Sequence, residues 1–425
     1  MSKEMETTKQ KNYALPIFMM ILLFGMISFV TNLAAPMGIV VKGQFQASNF
    51  MGMLGNFANF LAYAFMGIPA GLMLKKIGYK KTALAAIAIG FTGVLVQFLS
   101  GIAESFVVYL TGAFISGFSM CMLNTVVNPM LNTLGGGGKK GNQLIQIGGT
   151  FNSMMGTLVP VLVGILVGEV TKDTAITDVN PVLFIAMGIF ALVGIVLSFV
   201  DIPEPHAAKA SNEKYEHSPW AFRHFVLGTI AIFVYVGVEV GIPGTLNLFL
   251  TDLQGSAAQA GLVAGTYWFL MLVGRFCGAS LGSKISSKTM LTAASGLGII
   301  LVVAAILLPT SILVQMPVFK SDLSFGMAEV PISAMFLVLC GLCTSIMWGG
   351  IFNLALEGLG KYTEAGTGIF MVLVCGGGIV PLIQNYVADK AGFMPSYWVM
   401  VIALAYLLYY ALIGSKNVNK DIPVE

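Results

Sequence analysis

Twelve long apolar stretches separated by short polar breaks take up most of the chain. They cover residues 14–40, 49–74, 82–100, 105–134, 143–168 and 181–200, then 219–250, 257–282, 289–309, 331–359, 364–388 and 396–414. Each approaches the roughly 20 apolar residues with which a helix crosses a hydrocarbon core about 30 Å thick. Lipid offers no partners to backbone polar groups, so spans of this kind are helices. The pattern predicts an all-α membrane protein. The longest polar stretch, 201–218 (DIPEPHAAKASNEKYEHS), divides it into a six-helix bundle over 1–200, a linker, and a second six-helix bundle over 219–425. One span is enough to anchor a protein, so twelve point to moving something across the membrane.

Composition supports this class. The chain is 57% hydrophobic and 10% charged, whereas a soluble domain carries about 25% charged residues. Fifty glycines suit close helix packing in lipid. A net charge of +3 gives no reason to expect a nucleic-acid partner. Cys340 and Cys343 form a CxxC spacing inside an apolar stretch with no second pair, and are expected to pack rather than hold a metal. The GGGGKK run at 135–140 lacks a phosphate-loop Ser/Thr and is expected to be a connection between spans. With no nucleophile–base pair and no metal cluster, enzyme chemistry is not expected. The first dozen residues are polar and lysine-rich, which predicts a cytoplasmic tail rather than a signal peptide.

Lysine and arginine set the expected orientation. With the N-terminus inside, the outer loops hold only Lys42, Lys172, Lys320 and Lys390, and Arg275 lies within a span. The other basic residues fall on the inner side, which predicts that both termini are cytoplasmic. The halves also echo each other. GLMLKKIGYKK (71–81) sets against ASLGSKISSKT (279–289), pairing Lys76 with Lys284 and Lys80 with Lys288. NTVVNPMLNTLG (124–135) sets against GGIFNLALEGLG (349–360), pairing Asn128 with Asn353.

A charged side chain at mid-membrane costs about 2.5–3.5 kcal/mol on insertion scales, so each is a functional candidate. Glu239, deep in the seventh span (FVYVGVEVGIPG), is a candidate substrate or cation ligand, with a structural ion pair as the alternative. Glu357 near the end of the tenth span, Arg275 in the eighth and Lys76 in the basic loop are assigned to gating, with Arg275 the candidate partner of Glu357 or Glu364. Asn32, Asn56, Asn59, Asn124, Asn128, Gln146, Asn152 and Asn353 supply amides, which both donate and accept hydrogen bonds. Such a set suits a ligand rich in hydroxyls, although single amides also tie membrane helices together. Tyr235, Tyr267 and Trp348 are candidate platforms for a sugar ring, with ordinary packing as the alternative. Prolines and glycines inside spans mark the first, fourth, fifth, seventh and eleventh as candidate cavity walls.

The six-plus-six repeat with its basic loop resembles the major facilitator superfamily and implies two pseudo-symmetric bundles that rock around a central site. The loop is similar to that superfamily's G-x-x-x-D-R-x-G-R-K motif, with Lys75 where the Asp is usual. More specifically, IPAGLMLKKIGYK (68–80), LNTVVNPMLNTLG (123–135), GTFNS (149–153), FVYVGVEVG (233–241), GRFCGA (274–279) and IFNLALEGLGKYT (351–363) resemble the L-fucose permease family and its glucose/galactose permease branch. The resemblance covers nearly the whole chain. It implies a monosaccharide importer of the bacterial cytoplasmic membrane, coupled to H⁺ or Na⁺, working as a monomer and needing no other cofactor. The fucose symporter pattern has an acidic residue where Asn32 and Asn124 stand here, and amides carry no proton. Asn152 matches the family's FNS motif, and Glu239 matches an acidic position of the glucose/galactose branch. Glu239 is therefore the candidate coupling residue. The alternatives are an uncoupled facilitator, an exporter of drugs or metabolites, and a non-transporting sugar sensor.

Overall fold

The computed structural model describes residues 13–45, 49–167, 174–204, 217–254, 257–320, 322–419 and 421–424. The first twelve residues, most of the expected linker, Lys172 and Lys420 lie outside these. The helices of the first half are α1 (Ala14–Gln44), α2 (Asn49–Ile102), α3 (Phe106–Leu134), α4 (Gly138–Val167) and α5 (Asn180–Phe199). The second half begins with α6 (Arg223–Gln254), α7 (Ala257–Leu281) and α8 (Ser287–Leu307). After a hairpin of β1 (Leu313–Phe319) and β2 (Phe325–Pro331) come α9 (Ile332–Thr344), α10 (Met347–Leu356), α11 (Thr363–Val372), α12 (Gly376–Ala391), α13 (Phe393–Ser396) and α14 (Trp398–Tyr409).

Ten stretches among the described residues are long and apolar enough to cross a membrane. One of them, Phe57–Ile102, turns at Gly78 and crosses twice. The 30-residue α4, about 45 Å long at 1.5 Å per residue, brings the crossings among the described residues to twelve. Pairs of short helices share a crossing: α9 with α10, α11 with α12, and α13 with α14. Large apolar side chains such as Phe65, Phe199, Phe276 and Ile402 stand exposed, as they do where lipid is the solvent.

The turn in α2 has a local cause. Gly78 sits at φ 81°, where a side chain is strained. Glu204, just past α5, fills the space a Cβ would need. Its carboxylate accepts the N–H groups of Tyr79 and Lys80 at 2.8 and 3.1 Å, as an anion at a helix N-terminus does. The GGGG run is a second turn, with Gly136, Gly137 and Gly138 all at positive φ.

The first six crossings pack on one another, with α2 along α3 and α5, and α1 along α4. The last six do likewise, with α6 along α12 and α10, and α9 along α7 and α8. The sequence repeat has a structural counterpart. Lys80 Nζ donates to the Ser198 carbonyl at 2.9 Å, and its repeat mate Lys288 donates to the Leu412 carbonyl at 2.9 Å. Each lysine ties the third crossing of its half to the sixth.

The two halves meet along seams at one face of the membrane, the face that carries Gly78, the glycine turn and Lys284. At one seam α2 lies against α11. A Cβ on Gly67 would stand 2.6 Å from the Gly368 carbonyl oxygen, and one on Gly71 would stand 2.8 Å from the Glu364 carbonyl oxygen. The helices therefore touch backbone to backbone. At the other seam α4 lies against α7, and Lys139 Nζ donates to the Lys284 carbonyl at 3.0 Å. This face is closed. The opposite face carries the hairpin, which the apolar pattern did not reveal. Its strands pair antiparallel, Leu313 opposite Pro331 and Phe319 opposite Phe325. Asp322 holds the turn by accepting the Ser324 hydroxyl at 2.6 Å and its N–H at 3.0 Å. Those bonds hold the Asp322 carboxyl below its usual range.

Replacing Gly67 or Gly368 with leucine should force the closed face apart. Spin labels at Ile77 and Lys361, with the native cysteines replaced, should then report longer separations than in the parent. An unchanged distance distribution in both variants would contradict the backbone-contact seam.

Candidate functional site

Between the halves lies a cavity of about 530 Å³. It is walled by Ser28, Thr31 and Asn32 on α1, by Gln146, Asn152, Ser153 and Thr157 on α4, and by Glu239 and Asn247 on α6. From α7 come Gly261, Gly265, Trp268 and Arg275, and from α10 come Trp348 and Gly349. Phe319 and Lys320 of the hairpin also line it, so it reaches the hairpin face. Phe319 is fixed there by its N–H to Thr266 Oγ1 at 3.0 Å and by stacking on Phe269 at 4.4 Å.

The floor is built on a broken helix. α9 ends at Thr344 and α10 starts at Met347. Three successive carbonyls around this break take side-chain donors. Thr344 O accepts from the Tyr235 hydroxyl at 3.2 Å, Ser345 O from Arg275 Nε at 3.2 Å, and Ile346 O from Gln146 Nε2 at 3.0 Å. Ser345 and Ile346 keep right-handed helical dihedrals, so the chain kinks there rather than unwinding, and carbonyls loosened at membrane depth are tolerated where protein satisfies them or they line a cavity.

At the centre stands an ion pair. Arg275 Nη2 meets Glu239 Oε1 at 3.1 Å, with side chains only 11% and 13% exposed. Arg275 Nη1 also donates to Gly149 O at 3.2 Å, Asn152 Oδ1 at 3.3 Å and Ser153 Oγ at 2.8 Å. One guanidinium thus serves five oxygens, three of them in the opposite half. This corrects the expected partnership: Arg275 pairs with Glu239, not with Glu357 or Glu364. The reason is directional. Side chains on a helix lean toward its N-terminus, and α7 begins at the hairpin face, so Arg275 reaches back to the cavity floor.

A further contact crosses between the halves. Trp348 Nε1 donates to Asn128 Oδ1 at 3.0 Å. Asn128 Nδ2 donates to Asn124 O at 2.8 Å, and Asn124 Nδ2 donates to the Tyr63 hydroxyl at 2.9 Å. Asn32 Nδ2 is held by Ser28 O at 2.9 Å, and Asn152 Nδ2 by Phe24 O at 2.8 Å.

Of the sequence candidates, Asn32, Asn124, Gln146, Asn152, Glu239, Arg275 and Trp348 line the cavity together. Asn128 stands behind Trp348. Four others lie away from the lining. Asn59 is buried against Gly117 of α3. Tyr235 and Tyr267 are fully buried, both bonded to Thr344. Asn353 is buried and donates to Ser287 Oγ at 2.9 Å, inside the second half. Lys76 and Glu357 are exposed at the closed face. The side chain of Asn56 lies outside the described residues. Asn247 among the amides and Trp268 among the aromatics also join the lining, as the sequence suggested, whereas Ser153, Ser345 and the hairpin tip carried no signal in the sequence. The eighth and tenth crossings also join the expected walls. A break such as CTSIM (343–347) carries no proline or glycine to announce it.

The fold and the central cavity are those of an alternating-access membrane transporter. Residues 17–382 match the model of the Major Facilitator Superfamily, and the chain belongs to that superfamily. It is 31% identical to the glucose/galactose transporter of Brucella abortus (strain 2308) over 97% of both chains. It is 28% identical to a putative glucose/galactose transporter of Helicobacter pylori (strain J99) over 93% of this chain and 95% of that one. The L-fucose-proton symporter of Escherichia coli is 24% identical over 91% and 90%. The structure superposes on a crystal structure of the transporter FucP in its outward conformation with a TM-score of 0.81, at 21% identity, covering 96% of this chain and all of that one.

Removing one partner of a buried pair strands the other charge, at about 3–5 kcal/mol. Arg275→Ala should therefore lower thermal stability in detergent, and adding Glu239→Gln should recover much of the loss. An R275A protein as stable as the parent would contradict a buried, mutually dependent pair.

Proposed function

We propose that the chain imports a monosaccharide of the glucose, galactose or fucose kind, in symport with a cation, across a bacterial cytoplasmic membrane. The observation that carries this reading is the lining of the cavity. Asn32, Asn124, Gln146, Asn152 and Asn247 bring five amides to a space of about 530 Å³, with Trp268 and Trp348 as flat apolar walls. Amides pair with sugar hydroxyls as donors and acceptors alike, and an indole face suits the C–H face of a pyranose. The printed functions of the relatives, glucose/galactose transport and fucose–proton symport, point the same way.

The excess of lysine in the loops of the closed face supports a cytoplasmic location for that face and for both termini. The hairpin face is then outside, and the cavity is open to the external medium. Both halves of the site come from one chain, which suits a functional monomer. The coupling group is Glu239, since it is the one carboxylate among the described lining residues. The positions where the fucose symporter pattern has acids hold Asn32 and Asn124, and that observation favours an uncoupled facilitator as the second reading.

Uptake of a labelled monosaccharide panel into proteoliposomes, under a pH gradient, a Na⁺ gradient or neither, tests the proposal. Accumulation against a gradient, driven by one of the ions, is the expected result. Equilibration without accumulation would favour the facilitator. No sugar movement under any condition would defeat the sugar reading and leave an exporter as the better account.

A further inference from the structure

We propose that the segment after α14 is a tether that makes α11 move with its own half, so that rocking of that half parts the α2–α11 seam. The tether acts at the closed face and serves whatever solute the cavity takes.

The need for a tether comes from where α11 packs. It lies along α2 and also meets α3, both in the first half, and packs more extensively there than on α6 and α10 of its own half. Gly67 and Gly71 of α2 stand backbone to backbone against Gly368 and Glu364. A helix seated this way stays with the half it touches unless its ends pull it off. Both ends of α11 are joints. One passes through the 3₁₀ turn Leu373–Cys375 into Gly376, Gly377 and Gly378, and a 3₁₀ stretch inside a span often marks a hinge. At the other end stand Gly358 at φ 75° and Gly360 at φ 49°, a conformation that glycine adopts freely.

The segment after α14 crosses this second joint. Asn417 Oδ1 accepts the Asn419 N–H at 3.0 Å, a local turn that presents Asn419 to α6. Asn419 Oδ1 then accepts the Arg223 N–H at 3.0 Å, one of the groups a helix start leaves without an internal partner. Val424 O accepts the Lys361 N–H at 2.9 Å, just before α11 begins at Thr363. Ile422 and Val424 pack against the apolar core. The two glycines are fitted to this segment. A Cβ on Gly358 would stand 3.0 Å from Asn417 Nδ2, and one on Gly360 would overlap the Val424 carbonyl.

His224 of α6 also holds the α10–α11 loop, donating from Nε2 to Glu357 O at 2.9 Å. That bond stops short of the glycines, so the loop can still bend between it and α11. The Val424 bond to Lys361 lies beyond them, next to the Tyr362 ring, which rests on Phe222 at 5.6 Å. The start of α6 and the base of α11 thus become one unit. When the second half rocks, α6 draws the tether and the tether draws α11 off α2. Without it, α11 lags on α2 and that seam stays shut while α4 and α7 part.

Two seams read at once test this, with the native cysteines replaced and no solute added. Spin labels at Ile77 and Lys361 read α2–α11, and labels at Lys140 and Ser280 read α4–α7. Gly282→Leu forces the second seam open, since a Cβ there would already stand 3.0 Å from Gln143 Cα; Gln143→Trp crowds the same contact if that variant does not fold. In the otherwise intact chain both separations should lengthen. With residues 416–425 removed, the Lys140–Ser280 separation should lengthen while Ile77–Lys361 stays short. Asn419→Leu should show the same lag in a full-length chain, and Asn419→Asp, which keeps the acceptor, should behave like the parent. Seams that part together without the segment, or an α2–α11 seam that fails to follow when the segment is present, overturn the tether. Solute uptake into proteoliposomes should fall several-fold on truncation, and uptake equal to the parent overturns it as well.

Discussion

The Arg275–Glu239 pair is the interaction on which the rest of the structure turns. It puts two opposite charges near the middle of the membrane, where neither survives without the other. Its geometry then dictates its surroundings. The guanidinium needs acceptors in several directions, and they come from the α4 helix of the opposite half and from a carbonyl released by the α9–α10 break. The same break offers a carbonyl to Gln146, a second bond between the halves. The cavity floor is thus a polar crossing point built into an apolar bundle.

The closed face depends on a different device. Gly67, Gly71 and Gly368 remove side chains from the α2–α11 seam, so the halves meet through backbone atoms. Such a contact is made of dispersion and shape, with no strong bonds to break. It holds the face shut through closeness of fit. The cavity reaches the hairpin face, where Phe319 and Lys320 line its edge.

The sequence revealed the twelve crossings because hydrophobic length is a one-dimensional property. It revealed the repeat for the same reason, and Lys80 and Lys288 make matching bonds in the two halves. What it could not supply was direction around and along a helix. Asn128 and Asn353 match in the repeat, yet one bonds Trp348 at the cavity and the other bonds Ser287 away from it. Arg275 was assigned to the closed face from its depth in the span, but its side chain leans the other way. The hairpin was hidden because its strands are as apolar as a short span and Pro317 interrupts the first of them. A two-stranded ribbon has only edge strands, where proline is tolerated.

The central claim is that the amide-lined cavity above this ion pair is a monosaccharide site. Trp268 and Trp348 line it, while Trp220 and Trp398 do not. Intrinsic tryptophan fluorescence of the purified protein, titrated with D-glucose, D-galactose and L-fucose, reads the site directly. A saturable change with at least one sugar, absent in Asn152→Ala, is the result this account predicts. A signal that no monosaccharide saturates, or one that Asn152→Ala leaves intact, would contradict it.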